Sequence, residues 1–180
     1  MEKKKNSGFT IIEMLVTIGV LTLLSGILIT YSKSGENASV LLRQGAKIVT
    51  DVNRAKNLAV TTATFTDTEG NIIHPCGYGV YFDDVSEPNR YVIYADLSTT
   101  NCKSSEHIRP ADGSADVETI ELSSSISIDK KNIESVFYLP PDPVTYFNPS
   151  EISEASITIK ATSGAKIEIR MSKAGQVSTF

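Results

Sequence analysis

Imidazole is scarce in this 180-residue chain: His74 and His107 are the two histidines, and no GxSxG, HExxH or glycine-rich phosphate loop accompanies them. So few general bases, with no catalytic motif around them, argue against an enzyme. The nearest approach to a phosphate-binding motif, CGYG at Cys76 to Gly79, opens a strand-like stretch and leads into no helix, so it lacks the context of a dinucleotide site. Proline is absent before Pro75, which leaves the N-terminal part of the chain without its strongest helix breaker. Positive charge is short as well. With 17 Lys and Arg against 21 Asp and Glu the chain carries −4, a balance that opposes general nucleic-acid binding. No internal repeat at solenoid spacing is present.

What the chain does have is one long apolar run near its start, GFTIIEMLVTIGVLTLLSGILITY, from Gly8 to Tyr31, preceded by the lysines Lys3 to Lys5. From Phe9 to Tyr31 it holds a single charge, Glu13. At about 1.5 Å per residue, such a run spans the ~30 Å hydrocarbon core of a bilayer. The lysines before it bias the N-terminus to the cytoplasm and send the remainder across. Glu13 is the anomaly, because a carboxylate within a bilayer costs on the order of 2.5 to 3.5 kcal/mol on insertion scales and needs a partner or a role. A secretory signal would have an uncharged core followed by an A-x-A-like cleavage site, and neither is found. The small residue Gly8 precedes the run, so a cut there removes the basic leader and keeps the helix.

The block KKKNSGFTIIEMLVTIG resembles the prepilin signal of type IV pilins and type II secretion pseudopilins. That family has a short basic leader, a Gly before the cut, an aromatic at the new N-terminus and a glutamate as fifth residue of the mature chain; here these are Lys3 to Lys5, Gly8, Phe9 and Glu13. The resemblance implies cleavage between Gly8 and Phe9 by a membrane prepilin peptidase, which usually also N-methylates Phe9. It further implies that Glu13 neutralises the α-amino group of Phe9 on an adjacent subunit, so that burial of the acid is compensated on assembly. The alternative is a simple anchor with Glu13 among the headgroups. Loss of the leader, which holds three Lys and one Glu before the cut, changes the net charge from −4 to −6.

After Tyr31 the helix is expected to continue. Ala38, Leu41, Gly45, Ile48, Val52, Ala55, Ala59 and Thr62 recur at alternating steps of three and four and mark one face, opposite Arg43, Lys47, Asp51, Asn53, Arg54 and Asn57. A break at SKSGEN, where Ser34, Gly35 and Asn37 are poor helix formers, is the alternative. Gly19, Ser25 and Gly26 are the weak points of the apolar run. From Thr66 the period changes to two. Turn residues Glu69, Gly70 and Asn71 lead into GYGVYF and RYVIYAD, two strands that are expected to form a hairpin joined by DDVSEPN. VETIEL, SISID and ESVFYL alternate as strands until PPDP at Pro140 to Pro143 ends the run. SITIKA and KIEIRM form a second hairpin around TSGA, and GQVSTF adds a short edge strand. The pair of strands YGVYF and YVIYAD loosely resembles the globular part of H-type pseudopilins and T-type fimbrial minor pilins.

The expected architecture is α+β: a long N-terminal helix, membrane-spanning and then amphipathic, packed on antiparallel sheet. Its segments are a leader at 1–8, a transmembrane or filament-core helix at 9–31, an amphipathic continuation at 32–64 and an extracytoplasmic β-rich domain at 65–180. The roughly 150 residues beyond the apolar run suffice for one core. Cys76 and Cys102, both beyond the membrane in this topology, read as a disulfide worth roughly 3 to 4 kcal/mol in the chain-entropy model. A Cys2His2 zinc site from His74, Cys76, Cys102 and His107 is the alternative, opposed by its spacing and by the oxidising compartment. No metal and no cofactor is expected. Lys166, Arg170 and Lys173 on the last hairpin offer a possible DNA contact, diluted by Glu168 on the same face.

The family resemblance gives the partners as other pilin or pseudopilin subunits, prepilin peptidase and the inner-membrane assembly platform, with membrane lipid before assembly. Nucleic acid is disfavoured by charge. The implied location is the cell membrane with the N-terminus cytoplasmic, followed by an extracellular or periplasmic filament. The implied function is a structural subunit, leaning to a minor one. The alternatives are a DNA-capturing minor pilin and an anchored surface protein that does not polymerise.

Overall fold

Among residues 10–67, 69–83, 89–98, 102, 107–141 and 144–180, which the computed structural model describes, one 50-residue helix and eleven strands account for most of the local structure. Helix α1 runs Ile11–Val60 and includes the SKSGEN stretch, so no loop forms there. The chain divides into two compact units, one ending at Glu36 and the other running Asn37–Phe180. The division falls inside α1 because the residues after it share a core with the strands, whereas the described side chains from Ile11 to Leu28 are all exposed.

Within the second unit, Leu41, Ile48, Val52, Ala55 and Ala59 are buried, and a Cβ on Gly45 would come into van der Waals range of Ile159 and Ile167. The stripe is therefore the core face of the helix from 41 to 59. Its outer members differ. Ala38 is exposed, and Thr62 lies beyond the last turn with a φ of 46°. The N–H of Thr62 donates to the Ala59 carbonyl and that of Ala63 to the Leu58 carbonyl, the paired bonds of a Schellman ending, so a left-handed residue is required at 62 although it is a threonine. Asp51 is a correction too. Assigned to the polar face, it is only 8 % exposed. It sits three residues after Ile48 and four before Ala55, at the margin of the apolar stripe, and it accepts a 2.6 Å hydrogen bond from the Tyr91 hydroxyl.

The strands are β1 (Phe65–Thr66), β2 (Ile72–Ile73), β3 (Tyr78–Asp83), β4 (Arg90–Ala95), β5 (Asp116–Glu121), β6 (Ile126–Lys131), β7 (Ser135–Leu139), β8 (Val144–Asn148), β9 (Glu154–Ala161), β10 (Lys166–Ser172) and β11 (Val177–Thr179). All described pairings are antiparallel. Among the described residues they form a small β1–β2 ribbon, a five-stranded sheet in the order β5-β4-β3-β7-β8 and a four-stranded sheet in the order β11-β10-β9-β6. The single sheet read from the sequence is thus two large sheets, and both contribute to one core. Tyr78, Val80, Phe82, Tyr91, Ile93, Val136, Tyr138 and Phe147 come from the first, and Ile126, Ile128, Ile157, Ile159, Ile169 and Met171 from the second.

Strand β8, VTYFN, is the element that sequence reading passed over. The prolines that precede it do not end the sheet: Leu139 pairs with Val144 and Ser135 with Asn148, so β7 and β8 form a hairpin. The two glycines of CGYG also acquire a reason. A Cβ on Gly79 would lie 2.7 Å from the Tyr94 ring and 2.7 Å from the Val136 carbonyl, and one on Gly77 would lie 2.2 Å from the Tyr138 carbonyl. These positions are close approaches of strand to ring and carbonyl.

Candidate functional site

Thr10 opens α1. Its carbonyl accepts from the N–H groups of Glu13 and Met14 at 3.1 and 3.2 Å, and its hydroxyl accepts from Glu13 N–H at 3.3 Å, which makes it the N-cap. Glu13 is the acidic residue of the first turn, at the positive end of the helix dipole, a placement worth about 0.3 to 1 kcal/mol at an exposed site. Among the described residues no cation pairs with its carboxylate. Gly8 and Phe9 lie outside the described residues.

The window Ile11–Leu28 is long and apolar enough to cross a membrane, and none of it is buried within the chain. Two of its hydroxyls turn back on the helix: Thr17 Oγ1 donates to the Met14 carbonyl at 2.9 Å and Thr22 Oγ1 to the Gly19 carbonyl at 2.9 Å. Apolar apart from Glu13 and a few hydroxyls, this surface suits a lipid or protein environment.

In the second unit a disulfide joins Cys76 and Cys102, whose Cα atoms are 5.1 Å apart. Both sulfurs are thereby occupied, His74 is exposed, and the Cys2His2 set does not assemble. His107 lies in a polar stretch of the sequence but is buried. It is 6 % exposed, its ring stacks on Phe137 at 4.3 Å, and its Nδ1 lies 2.8 Å from the Asp96 carboxylate. The Tyr94 hydroxyl donates to the His107 carbonyl at 2.7 Å, and burial pushes the Tyr94 phenol well above its ordinary range. Arg109 grips Asp116 through two bonds of 2.6 and 2.5 Å. Residues 107–116 therefore cover the face of the five-stranded sheet that points away from α1. The sequence signal for this cover was weak: strands β3 and β4 carry aromatic or aliphatic residues on both faces, a pattern of two-sided burial.

The basic residues of the last hairpin are placed separately. Lys166 pairs with Asp129 at 2.7 Å, Arg170 with Glu168 at 3.0 Å, and the Arg170 guanidinium also lies over the Phe180 ring at 4.8 Å. Lys173 is exposed in the turn after β10. Lys166, Glu168 and Arg170 share a face, and each of these two cations has an acid beside it. Among the described residues no group of three metal-ligating side chains is assembled.

An apolar N-terminal helix, an acid in its first turn, and an amphipathic segment packed on antiparallel sheets define a pilin-like α+β arrangement. Residues 3–29 match the family model described as the prokaryotic N-terminal methylation motif, the prepilin signature of type IV pilins and pseudopilins. That motif belongs to structural, processed subunits, and it implies assembly with other pilin-type subunits and processing by prepilin peptidase in general terms. No curated protein and no solved structure matches the chain significantly.

Proposed function

We propose that this chain is a non-enzymatic minor subunit of a type IV pilus or a type II secretion pseudopilus. It is cut between Gly8 and Phe9, N-methylated on Phe9 and polymerised through its N-terminal helix. The observation that carries the reading is the methylation motif at residues 3–29 lying over a helix whose apolar surface is bare from Ile11 to Leu28. Such a surface is held by lipid before assembly and by the helices of neighbouring subunits afterwards. Glu13 supplies the specific contact, its carboxylate meeting the α-amino group of a neighbour's Phe9, so that two charges costly to bury alone are buried as a pair. The β-rich unit then lies on the outside of the filament, delivered there by the assembly platform of the membrane.

The test is the N-terminus of the membrane-extracted protein, read by intact mass and terminal peptide sequencing, together with the variant Glu13→Val. A chain beginning at N-methylated Phe9, with Glu13→Val still inserted and cleaved but depleted from sheared filaments by roughly tenfold or more, supports the reading. A chain beginning at Met1 makes it an uncleaved anchor. Normal incorporation of Glu13→Val removes charge pairing as the assembly contact.

A further inference from the structure

The face of the four-stranded sheet that points away from α1 carries an arrangement of charge that the fold does not need. Lys160 of β9 is the direct cross-strand partner of Lys166 on β10 and of Ser127 on β6, so Ser127, Lys160 and Lys166 form a row across three strands. Directly opposed side chains stand with Cβ atoms about 4.5 to 5.5 Å apart, and like charges placed so destabilise a sheet. Lys130 belongs to the same cluster through its pairing with Thr158, two residues along β9 from Lys160. Two acids lie with them: Glu168, which the register sets across Thr158 from Lys130 and which Arg170 holds at 3.0 Å, and Asp129. Asp129 sits where the β6–β9 register shifts, the extra residue of a bulge, and its carboxylate is taken by Lys166 at 2.7 Å. The fields of Lys166, Lys160 and Lys130 help the Lys166 hydrogen bond to hold the Asp129 carboxyl below the usual carboxylate range. With Glu168 neutralised by Arg170, three lysines around Asp129 leave a local surplus of +2 in a chain whose net charge is −4. Lys160 has no ion-pair partner among the described residues.

Beside this surplus the surface is concave. A cleft of about 400 Å³ is lined by Lys160 and Asp129 together with the hydroxyl-bearing Ser124, Ser125, Ser127 and Thr162. Thr162 N–H donates to the Ser125 carbonyl at 2.9 Å, which joins the two rims, and the Ser123 and Ser125 hydroxyls are 3.2 Å apart. An ammonium outside the ion pairs of the described residues, next to hydroxyls that donate and accept, suits a phosphate-type oxyanion and any sugar hydroxyls attached to it. Arg170 and Lys173 do not line this cleft; their surroundings are Glu168, Phe180 and the β10–β11 turn.

We propose that this cleft is a binding site for a phosphate-type oxyanion, free or carried as the ester of a sugar, with Lys160 as its principal cation and Ser125, Ser127 and Thr162 as its hydroxyl partners. The bound anion relieves the repulsion between Lys160 and Lys166, so ligand binding and sheet stability are linked.

The full chain, isotope-labelled in detergent micelles, is titrated with inorganic phosphate and separately with glucose 6-phosphate at constant ionic strength, with sodium chloride as reference. Saturable shifts of the Ser125, Ser127, Lys160 and Thr162 amides, and a rise in Tm with phosphate, are expected. Lys160→Gln weakens the phosphate response by roughly tenfold, Lys160→Arg restores it, and Lys173→Gln leaves it unchanged. Equal response to the two probes assigns a free oxyanion; a tighter response to the sugar phosphate assigns the ester, with the serine rim reading the hydroxyls. Shifts that chloride reproduces, or a phosphate response that Lys160→Gln leaves intact with the amide spectrum otherwise native, overturn the site. Neither result bears on cleavage at Gly8 or on the role of Glu13.

Discussion

The two parts of helix α1 obey the same backbone rules and do opposite things with their side chains. From Ile11 to Leu28 it is apolar on every side, and all of that surface is exposed. From Leu41 to Ala59 it is apolar on one stripe, and that stripe is buried against two sheets. The first part therefore has no fold of its own to complete and waits on something outside the chain, lipid or another subunit. The second has its partners supplied by the same chain. An aliphatic residue in the first part is a statement about the surroundings, and in the second a statement about stability.

The largest effect that separates the two comes from equal truncations on either side. Ile48→Ala should cost about 2 to 5 kcal/mol, read as a drop in the Tm of the full chain in detergent, whereas Leu21→Ala should shift the same transition by less than about 0.5 kcal/mol. A comparable loss from Leu21→Ala would break the distinction between the two parts.

Next is the polar contact at the edge of the stripe. The Tyr91 hydroxyl has its phenol pushed far above its ordinary range, by burial first and then by the hydrogen bond and charge of Asp51. Asp51→Ala leaves that hydroxyl buried without its acceptor and should cost about 1 to 3 kcal/mol, with Asp51→Asn restoring much of it. If both substitutions leave the urea midpoint in place, the helix docks through its apolar stripe alone.

A smaller effect of the opposite sign is expected at the end of the helix. Thr62 holds a left-handed conformation at a φ of 46°, which costs a branched residue roughly 1 to 2 kcal/mol. Thr62→Gly should therefore raise stability by about 0.5 to 1 kcal/mol once the added freedom of the unfolded chain is deducted. A lower Tm would show that the Thr62 hydroxyl bond to the Thr61 carbonyl matters more than the strain.

The smallest effect is a pH dependence confined to the second unit. Asp67, Asp112 and Asp129 are each held below the ordinary carboxylate range, through Asn71, Ser114 and Lys166 respectively. A depressed folded-state pKa favours the folded chain above the unfolded value, and that contribution is lost as pH falls through the folded one. Stability should thus decline gently below the ordinary aspartate range near pH 4. Asp129→Asn should flatten part of that decline, and a profile identical in the variant would remove Asp129 from it.

How much could be read in advance differs between these regions for a physical reason. The membrane-length run, the acid within it, the stripe from Leu41 to Ala59 and the β9–β10 hairpin were legible because each is a local pattern whose period or turn chemistry is complete in a few consecutive residues. The methylation motif is of the same kind, since its recognition depends on adjacent residues. What the tertiary structure decided are the non-local matters. The strands partition into two sheets, β8 pairs with β7 behind its prolines, Asp51 is drawn inward by a tyrosine 40 positions away, and His107 is buried by Asp96 and Phe137. In the same way Lys160, Lys166 and Asp129 meet only because three strands are in register. Composition and spacing say which residues can bury or pair; sheet order and register bring distant ones together, and that choice is made by packing the whole core at once.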